Sequence, residues 1–84
     1  MQETNVDPTT LPWLRTAVRE VVRLRGGEEI DTRTLRELGA RSVHVVALQF
    51  RIFQETSVNL EVHEMVGDSP VAELAALIDG RRPA

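Results

Sequence analysis

Cysteine is absent from this 84-residue chain, and with it go disulfide staples, thiolate metal sites and thiol chemistry by the chain's own side chains. That absence makes the cytoplasm the default compartment. Long apolar runs are missing too. Stretches such as Val45 to Leu48 are too short for a membrane span or a signal-peptide core, which sets the expectation of a soluble protein with no membrane partner. Lysine is also absent, so all ten cations are arginine, a bias given no functional weight. A chain of this length buries only about 60% of the surface its unfolded form exposes, close to the lower limit for folding without staples.

The charge is present but uneven. Residues 1 to 41 hold seven arginines against seven acids, while residues 42 to 84 hold three against six and carry the whole net charge of −3. An acidic C-terminal half speaks against nucleic-acid binding, which needs basic surface to displace counterions from phosphates. It suits a positively charged protein partner.

Helical periodicity accounts for most of the rest. Residues 1–9 are polar and aperiodic and are expected to be a flexible tail. A first helix is expected to start at Thr10 as cap, with Pro12 in its first turn. Trp13, Leu14, Ala17, Val18, Val21, Val22 and Leu24 recur on its apolar side, and Gly26-Gly27 is expected to end it. Arg15, Arg19 and Arg23 line another face. Residues 28–41 form a long connection pinned by Ile30, Leu35 and Leu38, with Asp31 or Thr32 placed to cap a short turn and Gly39 permitting a sharp bend.

A second helix is expected over Ser42 to Thr56. Its core side takes Val45, Leu48, Gln49, Ile52 and Phe53, with Val46 at the margin, and His44, Arg51 and Glu55 lie opposite. Val43, Ala47 and Phe50 make a second apolar stripe, roughly 120° to 140° from the core centre. Its alternative is that Phe50 turns inward to fill a small core. A short apolar segment, Val62 to Val66, follows. The last helix is capped by Ser69, begins at Pro70, buries Val71, Leu74, Ala75, Leu77 and Ile78, and ends at Gly80. The expected fold is all-α, with three main helices plus a short third one, in a single domain over residues 10–80 followed by a tail at 81–84.

No familiar catalytic set is present. His44 and His63 stand apart from any nucleophile and acid, His63-Glu64 is no metal motif, and no Gly-rich loop follows a strand. The expectation is of no enzyme activity, no catalytic residue and no metal site. Glu61, Glu64 and Asp68 cluster near the short helix, either to meet a basic partner or as an ordinary solvated face. Ser42 also has two readings. It can cap the second helix, or it can carry an anion such as a phosphodiester, which the first turn's N–H groups and the helix dipole stabilise. Position alone leaves both open.

The ordered series Leu35, Leu38-Gly39-Ala40-Arg41-Ser42-Val43, the helix Val45 to Phe53 and Pro70-Val71-Ala72-Glu73-Leu74-Ala75 resembles the phosphopantetheine-dependent carrier proteins, the acyl and peptidyl carriers. The resemblance spans about Leu11 to Ile78. It implies a four-helix carrier-protein bundle and a 4′-phosphopantetheine arm placed on Ser42 from coenzyme A by a phosphopantetheinyl transferase. It also implies a carrier that presents acyl or aminoacyl thioesters to a loading enzyme and to downstream synthase, condensation or tailoring enzymes. Met1 and the short tails set the expectation of a freestanding protein, with an excised domain as the alternative, and a monomer is expected. The sequence departs from that family at Arg41, where acyl carriers commonly have Asp and peptidyl carriers often have His, Asn or Asp. Fatty-acid carriers also show acidic residues along the second helix, whereas the exposed positions here are His44, Ala47, Arg51 and Gln54. Polyketide or nonribosomal peptide biosynthesis is therefore the expected setting. Partner recognition is expected from Arg41, Val43, Ala47 and Phe50, with Met65 and Val66 across a groove. The rival reading is a non-catalytic helical interaction domain with a carrier-like fold and no arm.

Overall fold

Four segments close helical hydrogen bonds: α1 (Thr10–Val22), α2 (Ser42–Thr56), α3 (Val62–Met65) and α4 (Val71–Arg81). They are seen in a computed structural model that describes residues 7–83, among which there is no strand, only an isolated bridge between Thr34 and Pro70. The chain is thus an all-α protein of three main helices and one short one. Six residues of the expected N-terminal tail, 1–6, lie outside the described residues.

One apolar core joins the helices. Leu14, Ala17 and Val18 of α1 meet Val45, Leu48 and Ile52 of α2, Met65 of α3, and Val71, Leu74, Ala75 and Ile78 of α4. The connections add Ile30, Leu35, Leu38, Val58 and Leu60, so the three apolar residues of the long connection do pin it to the core. Trp13, Val21, Val22, Leu24 and Leu77 pack at the edge, partly buried.

That long connection replaces side-chain caps with tertiary contacts. The carbonyls of Arg33 and Asp31 accept the first N–H groups of α4, from Val71 at 2.9 Å and Ala72 at 3.0 Å. Ser69 is consequently not needed as a cap, and Pro70 occupies the N-cap position instead. The Asp31 carboxylate takes Nε and NH2 of Arg15 at 2.9 and 2.8 Å, a paired contact that fastens the connection to α1. This ion pair holds the Asp31 carboxyl below its ordinary range. The turn within the connection is closed by Thr34 and Glu37, not by Asp31 or Thr32. The Glu37 N–H donates to Thr34 Oγ1 and the Thr34 N–H to Glu37 Oε1, the reciprocal pattern of a Thr-x-x-Glu box. Gly39, at φ 90°, then reverses the chain toward α2, a conformation a side chain would strain.

Helix ends depart from the expected residues. Thr10 lies inside α1, where Thr9 is the N-cap, and α1 stops at Arg23 in the left-handed region (φ 64°), ahead of Gly26-Gly27. The N–H of Leu24 donates back to the Arg19 carbonyl at 3.0 Å, so hydrogen bonding ends the helix without a glycine. α4 runs through Gly80 to Arg81.

The described parts of the expected tails are also tied down. Thr10 Oγ1 donates to Asp79 Oδ1 at 2.6 Å and accepts from Arg82 NH2 at 2.9 Å, while the Asp7 N–H donates to Asp79 Oδ2 at 2.9 Å. Thr10 and Asp79 are both buried, so this small network clasps the start of α1 to the end of α4. Removing the acceptor strands a buried hydroxyl. Asp79→Ala is expected to cost about 1–3 kcal/mol in urea unfolding, against less than about 1 kcal/mol for the more exposed Arg82→Ala.

Candidate functional site at the start of helix α2

α2 begins where the Gly39 turn delivers the chain, with Arg41 at the N-cap and extended (φ −105°, ψ 176°) and Ser42 as the first helical residue. No side chain caps this end from the N-cap position. The Arg41 N–H instead donates to Nδ1 of His44 at 2.9 Å. Ser42 is therefore the first helical residue and not the N-cap. Its side chain is exposed, and the N–H groups of Ser42 and Val43 have no acceptor among the described residues.

A groove of about 350 Å³ opens beside it, lined by Leu35, Arg36, Ala40, Arg41, Ser42, Val45, Val62 and Val66. Its walls are the Thr34–Gly39 turn, the first turn of α2, and α3 with the residue that ends it. Arg36 and Arg41 have no ion-pair partner among the described residues, and the groove lining contains no acid. The rim is thus cationic and the walls mainly aliphatic.

Met65 does not share the groove with Val66. It is 1% exposed and lies in the core, while Val62 and Val66, four residues apart on one face of the short helix, turn toward Ser42. Neighbouring residues on a helix diverge by about 100°, and here that step turns Met65 into the core and Val66 to the groove. Arg41, Val43 and Ala47 are exposed, as is Phe50 at 61%; Phe50 does not fold inward.

Sequence reasoning missed the width of this outer face. Phe53, expected in the core, and Val46, expected at its margin, are 51% and 54% exposed. The buried side of α2 is only Val45, Leu48, Ile52 and Thr56. It is bounded by Gln49, whose Nε2 donates to the Leu60 carbonyl at 2.8 Å. That half-buried polar contact marks the edge, and no apolar count distinguishes Phe53 from a core residue.

The acids near α3 are partly spoken for. Glu64 accepts the Glu61 N–H at 2.9 Å and both terminal nitrogens of Arg81. The Arg81 guanidinium, helped by that N–H, holds the Glu64 carboxyl down at about 2. Arg51, expected to be simply opposite the core, pairs with Glu20 of α1 at 2.9 Å. Among the described residues no helix is long and apolar enough to cross a membrane, and no three His, Asp or Glu side chains are grouped to hold a metal ion.

What the fold and this site define is a small all-α protein with an exposed serine opening its longest helix beside a cationic-rimmed groove. No family model matches the chain, and no curated protein or solved structure matches it either.

Two measurements test the geometry. Phe50→Glu is expected to change stability by less than about 0.5 kcal/mol with unaltered helicity, whereas Met65→Ala is expected to cost about 2–5 kcal/mol. For Glu64, the folded value lies below the ordinary 4.5, so its contribution is full above about pH 4.5 and is lost as pH falls through about 2. The urea midpoint of the native chain should exceed that of Glu64→Gln at pH 6, with the two converging toward pH 2.

Proposed function

We propose that the chain is a carrier of the phosphopantetheine-dependent type. In this reading Ser42 bears a 4′-phosphopantetheine arm on which acyl or aminoacyl intermediates are held as thioesters, in polyketide or nonribosomal peptide biosynthesis. The supporting observation is the setting of Ser42: an exposed serine that the helix does not use as a cap, at the mouth of a groove with cationic rim and aliphatic walls. The ordered resemblance from Leu35 through Ala75 supports the same reading.

The residues present suit such a group. Arg36, Arg41 and the free N–H groups of Ser42 and Val43 would hold the phosphodiester, since a helix start and guanidinium groups both favour an anion. Leu35, Val45, Val62 and Val66 would lie along the less polar length of the arm. Bound, the arm supplies a terminal thiol for thioester chemistry that a cysteine-free chain otherwise lacks.

The chain's own work is positional. A core-anchored helix fixes where the serine stands, and tethering raises the effective concentration of cargo at each partner enzyme. Acid and base groups then belong to those partners, among them a phosphopantetheinyl transferase, a loading enzyme and a downstream synthase, condensation or tailoring enzyme.

Incubation with coenzyme A and a promiscuous transferase, read by intact mass, tests the reading. The expected result is gain of a single phosphopantetheine, abolished in Ser42→Ala. No gain with a panel of transferases would overturn it in favour of an arm-free docking module.

A further inference from the structure

Among the described residues, three turns begin with the same device: a backbone N–H donates to the side chain three residues on. Thr34 donates to Glu37 Oε1 at 3.0 Å, Glu61 to Glu64 Oε1 at 2.9 Å, and Arg41 to His44 Nδ1 at 2.9 Å. Two of the acceptors are carboxylates. The third, in the turn that opens α2 at Ser42, is an imidazole.

The contact at α2 closes in both directions, since the His44 N–H donates back to the Arg41 carbonyl at 2.9 Å. Ser42 and Val43 stand inside that ring. Their own N–H groups have no acceptor among the described residues, so the ring fixes the serine while the positive end of the helix stays open. Nδ1 accepts only when it carries no proton, which places the ring's single proton on Nε2. His44 thus completes the helix start without adding charge.

The surroundings of Ser42 give that neutrality a consequence. The groove beside it is lined by Arg36 and Arg41 and by no acid. A carboxylate at position 44 would complete the same turn, but it would compete with an anion on Ser42 for the positive helix end. At Glu64 no such conflict arises, because Arg81 balances the acceptor's charge.

We propose that His44 is a positioning residue for Ser42, an uncharged acceptor that fixes the serine at the first helical position and reserves the positive helix end for an anion on the serine oxygen. The proposal rests on the carrier reading and deepens it, the anion being the phosphodiester of the arm. His44 acts through the Arg41 backbone.

The test compares His44→Gln, His44→Glu and His44→Ala with the native chain. Amide hydrogen exchange of the unloaded chains reads the ring. The Arg41 N–H is expected to keep its protection in the Gln and Glu variants, which can both accept, and to exchange at least about tenfold faster in His44→Ala. The initial rate of phosphopantetheine loading by a promiscuous transferase should fall at least about threefold in His44→Ala and return to within about twofold of native in His44→Gln. Urea unfolding before and after loading reads the charge: the midpoint should rise alike in the native and Gln chains and rise less in His44→Glu. Unchanged exchange or loading in His44→Ala, failure of Gln to restore what Ala loses, or an equal rise in the Gln and Glu chains would each overturn the proposal while the carrier reading stands. Absence of loading in the native chain would instead overturn the carrier reading, and this proposal with it.

Discussion

Val45, Leu48 and Ile52 leave α2 at spacings of three and four residues and are buried against the other helices, and this ridge fixes the rotation of α2 about its own axis. Each such side chain contributes about 1.5–3 kcal/mol by leaving water, enough together to rule out other rotations in so small a protein. Once the ridge is seated, Ser42 must stand at the solvent edge, and Val43, Val46, Phe50 and Phe53 must face outward. The exposed serine and the exposed apolar face thus follow from one packing decision.

The long connection between α1 and α2 makes that decision possible. Leu35 and Leu38 anchor its turn, Arg15 holds Asp31, and two of its carbonyls complete the start of α4. It thereby links α1 and α4 while delivering Arg36 and Arg41 to the mouth of the groove. A segment without a regular helix of its own sets both the position and the sign of the charge beside Ser42. The proposed role of the groove rests on this support, since shifting the turn would displace both arginines together.

Charge shows how sequence position and spatial position diverge. Divided at residue 41, the chain has a neutral half and an acidic half. In space, Glu64 is taken by Arg81, Asp79 lies buried beneath Thr10 and Arg82, and Glu20 is engaged by Arg51. The surface that remains around the groove is basic. An ion pair between distant residues balances a charge at the surface, and its partners are fixed by packing.

The sequence by itself determined the four helices, because apolar residues at intervals of three and four bind a segment to helical geometry wherever it sits. The limits of α2, Ser42 to Thr56, and the pinning role of Ile30, Leu35 and Leu38 were legible for that reason. The Thr34-x-x-Glu37 box was legible in principle, as a local hydrogen-bond pattern. Only the tertiary structure decided that Met65 is core while Val66 faces the groove, that Phe53 is outside, and that Asp31 and Arg33 start α4 where Ser69 does not. Periodicity gives the angle of a residue around its helix, but the width of the buried arc depends on which neighbours cover it.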